Sequence, residues 1–170
     1  MLQSIRRLSF LRALWLARLR AANEAPDRRP TEIEPGMFVG GIPTRARWMA
    51  LRAVGVSHVL SLLAEAPPDP WFADAEAVLW LPIPDRHPPT QEQLRAGCAF
   101  LDAARARGRG VFIFCGSGMG RAPTAYVAWR ARVERLDLAT GLNAVQQVRR
   151  IAGPTASQLE ALERWVTDMR

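Results

Sequence analysis

The chain has 170 residues, 49% of them hydrophobic, and a formal net charge of +7. That much apolar material can bury a full core, so one domain with an appendage is expected. Two cysteines, Cys98 and Cys115, exclude a disulfide-stapled secreted scaffold, and most of the positive charge lies in one short segment, which excludes a basic nucleic-acid-reading stripe.

That segment is Met1 to Ala22. It carries Arg6, Arg7, Arg12, Arg18 and Arg20, with no acid until Glu24, interleaved with leucines, Phe10 and Trp15; without these arginines about +2 would remain. On a helix Ile5, Leu8, Trp15, Leu16 and Leu19 share one side, but Arg12 intrudes and Phe10 and Leu14 lie opposite, so the amphipathicity is partial. Arginines interrupt every apolar run, which argues against a spanning helix and against a secretory signal. Four readings fit equally: a peripheral helix on an anionic membrane, an organelle-targeting peptide, a helix packed on the domain, or a disordered arm. Asn23 to Pro35, with Pro26, Pro30 and Pro35, reads as a linker. Residues 1–33 are therefore expected as basic segment and linker, and 34–170 as the domain.

Within the domain, Met37 to Gly41 reads as a short strand ending in a glycine turn. Arg45 to Val54 reads as a helix with Trp48, Leu51 and Val54 turned inward. Val56 to Leu63 is a strand in which His58 is an ordinary occupant. A proline-rich loop follows, and Trp71-Phe72 starts a short helix, the tryptophan serving as lid or core. Ala77 to Ile83 is a further strand, delivering a loop that carries Asp85 and His87 between prolines. Thr90 caps a helix from Gln91 to Ala106, with Glu92 near its start and Arg105 near its end, and Leu94, Cys98, Leu101 and Ala104 on one face. Cys98 is most simply a core residue.

The next stretch is Val111-Phe112-Ile113-Phe114-Cys115-Gly116-Ser117-Gly118-Met119-Gly120-Arg121-Ala122-Pro123. A hydrophobic strand runs into a cysteine, glycines separate it from an arginine, and a helix start follows. Successive amides from Gly116 to Arg121 can turn inward around a tetrahedral oxyanion, with the positive end of the helix aimed at the same point. Those amides and that dipole stabilise negative charge on Cys115, and Arg121 can fork onto two phosphate oxygens. The chemistry indicated is attack of a thiolate on phosphorus, then hydrolysis of the thiophosphoryl enzyme. Beyond it, Pro123 to Arg135, Leu138 to Ile151 and Thr155 to Met169 read as helices. Gln146, Gln147, Arg149 and Arg150 look like a solvated face, although Arg149 or Arg150, beside the Gly153-Pro154 turn, has the reach to approach the active site. Strands alternating with helices make an α/β sandwich of three layers around a mostly parallel sheet.

Cys115 and Arg121 with five residues between them form a C-x5-R signature, and the chain from about Glu34 onward resembles the dual-specificity branch of the cysteine-dependent tyrosine phosphatases. The resemblance implies Cys115 as nucleophile, Arg121 as phosphate clamp, and a phosphate cradle of Gly116, Ser117, Gly118, Met119, Gly120 and Arg121. It also implies an aspartate about thirty residues earlier as general acid; Asp85 takes that place ahead of Asp74 and Asp69. His87 would hydrogen-bond substrate, tune Asp85, or be solvated surface. No metal or cofactor is implied. Two residues depart from the family pattern: Phe114 stands where histidine usually helps order the loop, and Ala122 where a hydroxyl usually faces the thiolate. The nearest hydroxyls are Ser117 and Thr124. Gly-Met-Gly-Arg-Ala-Pro looks like the loop of the glucan phosphatases in this branch.

The expected substrate is a phosphate monoester, on tyrosine, serine or threonine of a protein. A singly phosphorylated lipid such as phosphatidylglycerophosphate, a glucan, and a non-catalytic phosphate-docking role are the alternatives; polyphosphorylated inositides are disfavoured because the loop has no lysine. The expected location is cytoplasmic, with contact at the inner face of a membrane through residues 1–22.

Overall fold

A computed structural model describes residues 2–168, with side chains from residue 9 onward. Five strands form one sheet in the order β1 (Thr31–Glu34), β2 (Met37–Gly41), β5 (Gly110–Cys115), β3 (Val56–Leu63), β4 (Ala77–Ile83). Only β1 runs antiparallel to its neighbour, so the sheet is mostly parallel, as expected. The composition of β5 explains its central place. Val111, Ile113 and Cys115 feed one apolar cluster and Phe112 and Phe114 the other, because successive side chains alternate between faces and both faces are covered. Against the first cluster lie α3 (Gln91–Ala106), α4 (Arg121–Glu134), α5 (Leu138–Val148) and α6 (Ala156–Asp168). Against the second lie α2 (Arg45–Ala53), a 3-10 turn at Pro70–Asp74 and the end of α1 (Leu2–Ala22). The result is the three-layer α/β sandwich.

Local signals hold where they were strong. At the start of α3, Thr90 Oγ1 accepts from Gln93 N while Gln93 Oε1 accepts from the Thr90 amide, a reciprocal cap, and Leu94, Cys98, Leu101 and Ala104 are all buried. They fail at helix ends. Val54, expected inward, is exposed, because α2 stops at Ala53 and the chain turns out through Gly55 at φ +93°. Helix α5 stops at Val148 rather than Ile151. The expected inclusion of Met169 in α6, and the expected alignment of Ile5 and Leu8, lie outside the described residues and side chains.

The segment Asn23–Pro35 is not a plain linker. Thr31–Glu34 adds an edge strand to β2 in register Thr31↔Val39 and Glu34↔Met37, turned at Pro35-Gly36 with Gly36 at φ +78°. A Pro-Gly pair followed by strand formers is a hairpin signal that the prolines of the preceding stretch obscure. Glu34 then anchors the strand, accepting from the Tyr126 hydroxyl at 3.0 Å and from Arg130 of α4.

Candidate active site

The loop from β5 to α4 opens on Cys115 and closes on Arg121, both buried. Its five consecutive carbonyls all accept hydrogen bonds from the surrounding scaffold. Gly116 O takes Ile42 N (3.0 Å) and Asn23 Nδ2 (2.9 Å); Ser117 O takes Arg149 Nη2 (3.2 Å); Gly118 O takes Arg149 Nε (2.8 Å). Met119 O takes Gly153 N (2.8 Å), and Gly120 O takes Thr124 N and Oγ1, each at 2.9 Å. Among the described residues no oxygen accepts from the amides of Ser117, Gly118, Met119 or Gly120. With every carbonyl drawn outward, the amides are left to line the inside of the loop, a concave row of donors. Gly120 begins α4 without a side-chain cap, so the helix's first amides add their dipole to that row.

Two side chains do much of the outward pulling: Asn23, read as part of a linker, and Arg149, one of the two arginines with the reach to approach the site. Asn23 bridges Ile42 O and Gly116 O. Arg149, taken with Arg150 as part of a solvated face, is only 1% exposed. It follows the last residue of α5 at φ −126°, ψ 81°, outside the helical region, and its side chain reaches the loop. There its guanidinium also donates to Arg29 O (2.7 Å), Thr31 Oγ1 (3.0 Å) and Arg28 O (3.3 Å). Burial pushes the Arg149 guanidinium down from its ordinary value, while nearby Cys115 favours its charge. Arg150 is exposed.

Arg121 is ringed by acceptors. Nη1 donates to Ile83 O at 2.6 Å and to Glu65 Oε2 and Oε1 at 2.9 and 3.1 Å, and Nη2 pairs with Asp85 Oδ1 at 3.0 Å. Glu65, which no motif marks, thus orients the guanidinium, and its Oε1 also accepts from the Asp85 amide at 3.0 Å. One carboxylate therefore ties the Arg121 fork to the loop carrying Asp85. That loop turns tightly: His87 N donates to Pro84 O, Arg86 lies at φ +63°, and Asp85 is exposed. His87 is exposed and its ring Nδ1 lies 2.8 Å from Asp85 O, while its carbonyl accepts from buried Gln158 Nε2 at 3.0 Å. Asp85, Cys115, Ser117, Met119, Gly120 and Arg121 all line one cleft of about 450 Å³, with Gln158 and Thr155 of the α6 end forming the far wall. Gly116 and Gly118 are buried behind it and contribute backbone alone.

The other candidates lie elsewhere. Asp69 pairs with Arg20 at 2.6 Å, and Asp74 accepts from Trp48 Nε1 at 2.7 Å. His58 is a buried strand residue beside Ser57 and Phe100. The Phe114 ring stacks between Phe112 and Phe72, at 5.4 and 5.5 Å, in the cluster opposite Cys115, so packing holds the residue before the nucleophile. The Thr124 hydroxyl donates to Gly120 O, and of these two residues Ser117 is the one that lines the cleft. Burial pushes the Cys98 thiol up to about 11, and Cys98 is not a cleft residue. Iodoacetamide near neutral pH should therefore add one group per native chain, on Cys115, with Cys98 labelled only after unfolding; peptide mass mapping checks this, and a native Cys98 adduct would contradict it.

Residues 28–130 match the model of the Swiss Army Knife protein DSP-PTPase phosphatase domain. Over 145 residues the chain is 28% identical to Dual specificity protein phosphatase 1 of Arabidopsis thaliana, covering 81% of this chain and 71% of that protein. It is 26% identical over 129 residues to human Dual specificity protein phosphatase 1, covering 75% of this chain but 35% of the human one. The crystal structure of Tk-PTP in its active form superposes with a TM-score of 0.74 at 28% identity, covering 84% of this chain and 98% of that one. PTPMT1 in complex with PI(5)P shares the fold, with a TM-score of 0.76 at 20% identity over 82% of this chain and 96% of that one. On the strength of that family match, the chain belongs to the DSP-PTPase family of cysteine-dependent phosphatases.

Proposed function

We propose that the chain hydrolyses phosphate monoesters on protein side chains in the dual-specificity manner, with Cys115 as nucleophile, Arg121 as clamp and Asp85 as general acid and base. The single observation that carries this reading is the loop whose five carbonyls are all drawn outward around a buried cysteine. Three phosphoryl oxygens fit the amide row and the Arg121 fork. Phosphate competes with Asp85 for Arg121 Nη2, so substrate binding releases the carboxyl toward the leaving oxygen. Cys115 Sγ then forms a bond to phosphorus as the P–O ester bond breaks, and Asp85 supplies the proton to the departing oxygen. In the second step water attacks phosphorus, Asp85 takes its proton, the P–S bond breaks, and phosphate leaves with the thiolate restored. A thiolate nucleophile requires a reducing compartment, so a cytoplasmic location goes with this reading.

The test is phosphate release from a soluble aryl phosphate and from phosphotyrosine and phosphoserine peptides, with Cys115→Ser as the inert background. Asp85→Asn should slow the aryl ester about 100-fold, and less for a nitrophenyl ester whose leaving group needs no proton. Turnover of peptides of both kinds supports the dual-specificity assignment. A wild type no faster than Cys115→Ser, with phosphate still shielding Cys115 from alkylation, would replace it with a docking role. A singly phosphorylated lipid is the second reading, favoured by the exposed aromatic and arginine side chains of α1.

A further inference from the structure

Helix α1 serves two surfaces, and only one of them belongs to this domain. Leu16 and Leu19 pack on the cluster of Phe72 and Phe114, Arg20 pairs with Asp69 and lies 5.1 Å over the Trp71 ring, and Asn23 reaches Gly116 O. These positions recur at helical spacing and face inward. On the other side, Phe10, Leu11, Leu14 and Trp15 are 66, 56, 38 and 42% exposed. They too form one face by their spacing, extended a turn further by exposed Arg18, while exposed Arg12 lies on the Leu16 and Leu19 side, one turn before Leu16. The weak overall amphipathicity of the segment follows: two apolar faces on one helix cancel when treated as a single stripe.

We propose that this outer face is an interfacial anchor for an anionic lipid bilayer. Charge complementarity argues for that occupant. The segment carries Arg6, Arg7, Arg12, Arg18 and Arg20 and no acid before Glu24, and Asp69 answers only Arg20. An isologous contact with a second copy would press two such arginine-rich helices together, which like charge opposes. A plane of phosphates, in contrast, pairs with arginines at any azimuth, while Phe10, Leu11, Leu14 and Trp15 enter the boundary between headgroups and acyl chains, a depth suited to aromatic and leucine side chains. No helix among the described residues is long and apolar enough to cross a membrane, so the contact is peripheral. The anchor is also rigidly joined to the catalytic loop. Leu19 Cδ2 stands 3.5 Å from where a Cβ on Gly116 would lie, and Phe10 is only about 14 Å further along the helix. Bilayer binding therefore holds the cleft close to the headgroup layer.

The experiment is flotation of the full chain with vesicles of phosphatidylcholine alone and of phosphatidylcholine with about one-third phosphatidylglycerol. Partitioning should be at least about 10-fold stronger on the anionic vesicles and should weaken as salt is raised. Phe10→Ser/Trp15→Ser and Arg12→Glu/Arg18→Glu should each lower it about 10-fold, with the thermal midpoint and the turnover of a soluble aryl phosphate unchanged. The proposal is overturned if the wild type fails to float, if it binds both vesicles equally, if both variants bind like the wild type, or if light scattering shows that the variants dissolve a dimer while leaving vesicle binding intact. Because flotation needs no catalysis, an inert chain that still floats would sink the phosphatase assignment and leave the anchor standing.

Discussion

Gly118→Ala should lower kcat/KM on a soluble aryl phosphate at least about 100-fold, with a reduced thermal midpoint, although the substitution adds one methyl group and touches no proposed catalytic side chain. Two independent constraints act on this residue. Its φ of +68° is in the left-handed region, where a Cβ is strained, at a cost of about 1 kcal/mol or more. The added Cβ would also stand 2.3 Å from Gly40 C, 2.5 Å from Gly40 O and 2.6 Å from Arg149 Nη2. The first two are backbone atoms of β2, which no rotamer change can move aside, so the loop itself must shift. A displacement near 1 Å of a preorganised row of amides is enough to remove most of its benefit, because those donors act only where the transferring oxygens will be. Gly116→Ala is the informative comparison: its Cβ would meet Arg121 Nη2 at 3.1 Å and Leu19 Cδ2 at 3.5 Å, a crowding far milder than that against the β2 backbone at Gly118, so its loss should be smaller. Equal activity of Gly118→Ala and wild type would mean that the loop geometry is not what makes the site.

How much of this was legible in the sequence follows from where each signal resides. The loop announces itself locally: apolar β5, Cys115, the glycines and Arg121 are contiguous, and strand, turn and helix start each have their own composition. Asp85 is legible at one remove, through a strand end and a proline-rich turn, and the structure brings it to 3.0 Å from Arg121. Glu65 is an acid after β3 like any other until folding sets it against Arg121, 56 positions away in the chain. Asn23 resembles a helix-ending polar residue, yet its partner Gly116 is 93 positions away. Edge strand β1 has too few residues for its alternation to outweigh the prolines before it. Phe114 shows the converse case, in which a departure from the family pattern proves structural: its ring belongs to the α2 side of the sheet, and the ordering of the loop is supplied by Asn23 and Arg149.

Arg149→Met should cost about 3 kcal/mol of folding stability, a fall of about 10 °C in thermal midpoint for a chain of this size, and should take most of the phosphatase activity with it. Methionine matches the length of the arginine stem and its apolarity, so the volume is largely kept and what disappears is the donor set. Five acceptors lose their partner: Ser117 O and Gly118 O in the loop, and Arg28 O, Arg29 O and Thr31 Oγ1 in the segment leading into β1. Each orphaned buried acceptor costs about 1–3 kcal/mol if water cannot reach it, and relief from burying a lone guanidinium offsets part of the sum. Arg149→Lys should be nearly as damaging, since one ammonium cannot reach acceptors spread around the whole edge of the guanidinium, from Nε to both Nη atoms. Arg150→Met, one residue on and exposed, should be neutral within about 0.5 kcal/mol. The functional loss has its own cause. Without Arg149 the carbonyls of Ser117 and Gly118 are free to rotate inward, which would aim two dipoles of the wrong sign at the phosphate and remove a buried positive charge from the neighbourhood of Cys115. Urea unfolding and aryl phosphate turnover, run on the same preparations, separate the two effects. Full activity with lowered stability would show that the loop holds its amides inward unaided, and full stability would show that the five contacts are worth no more than water.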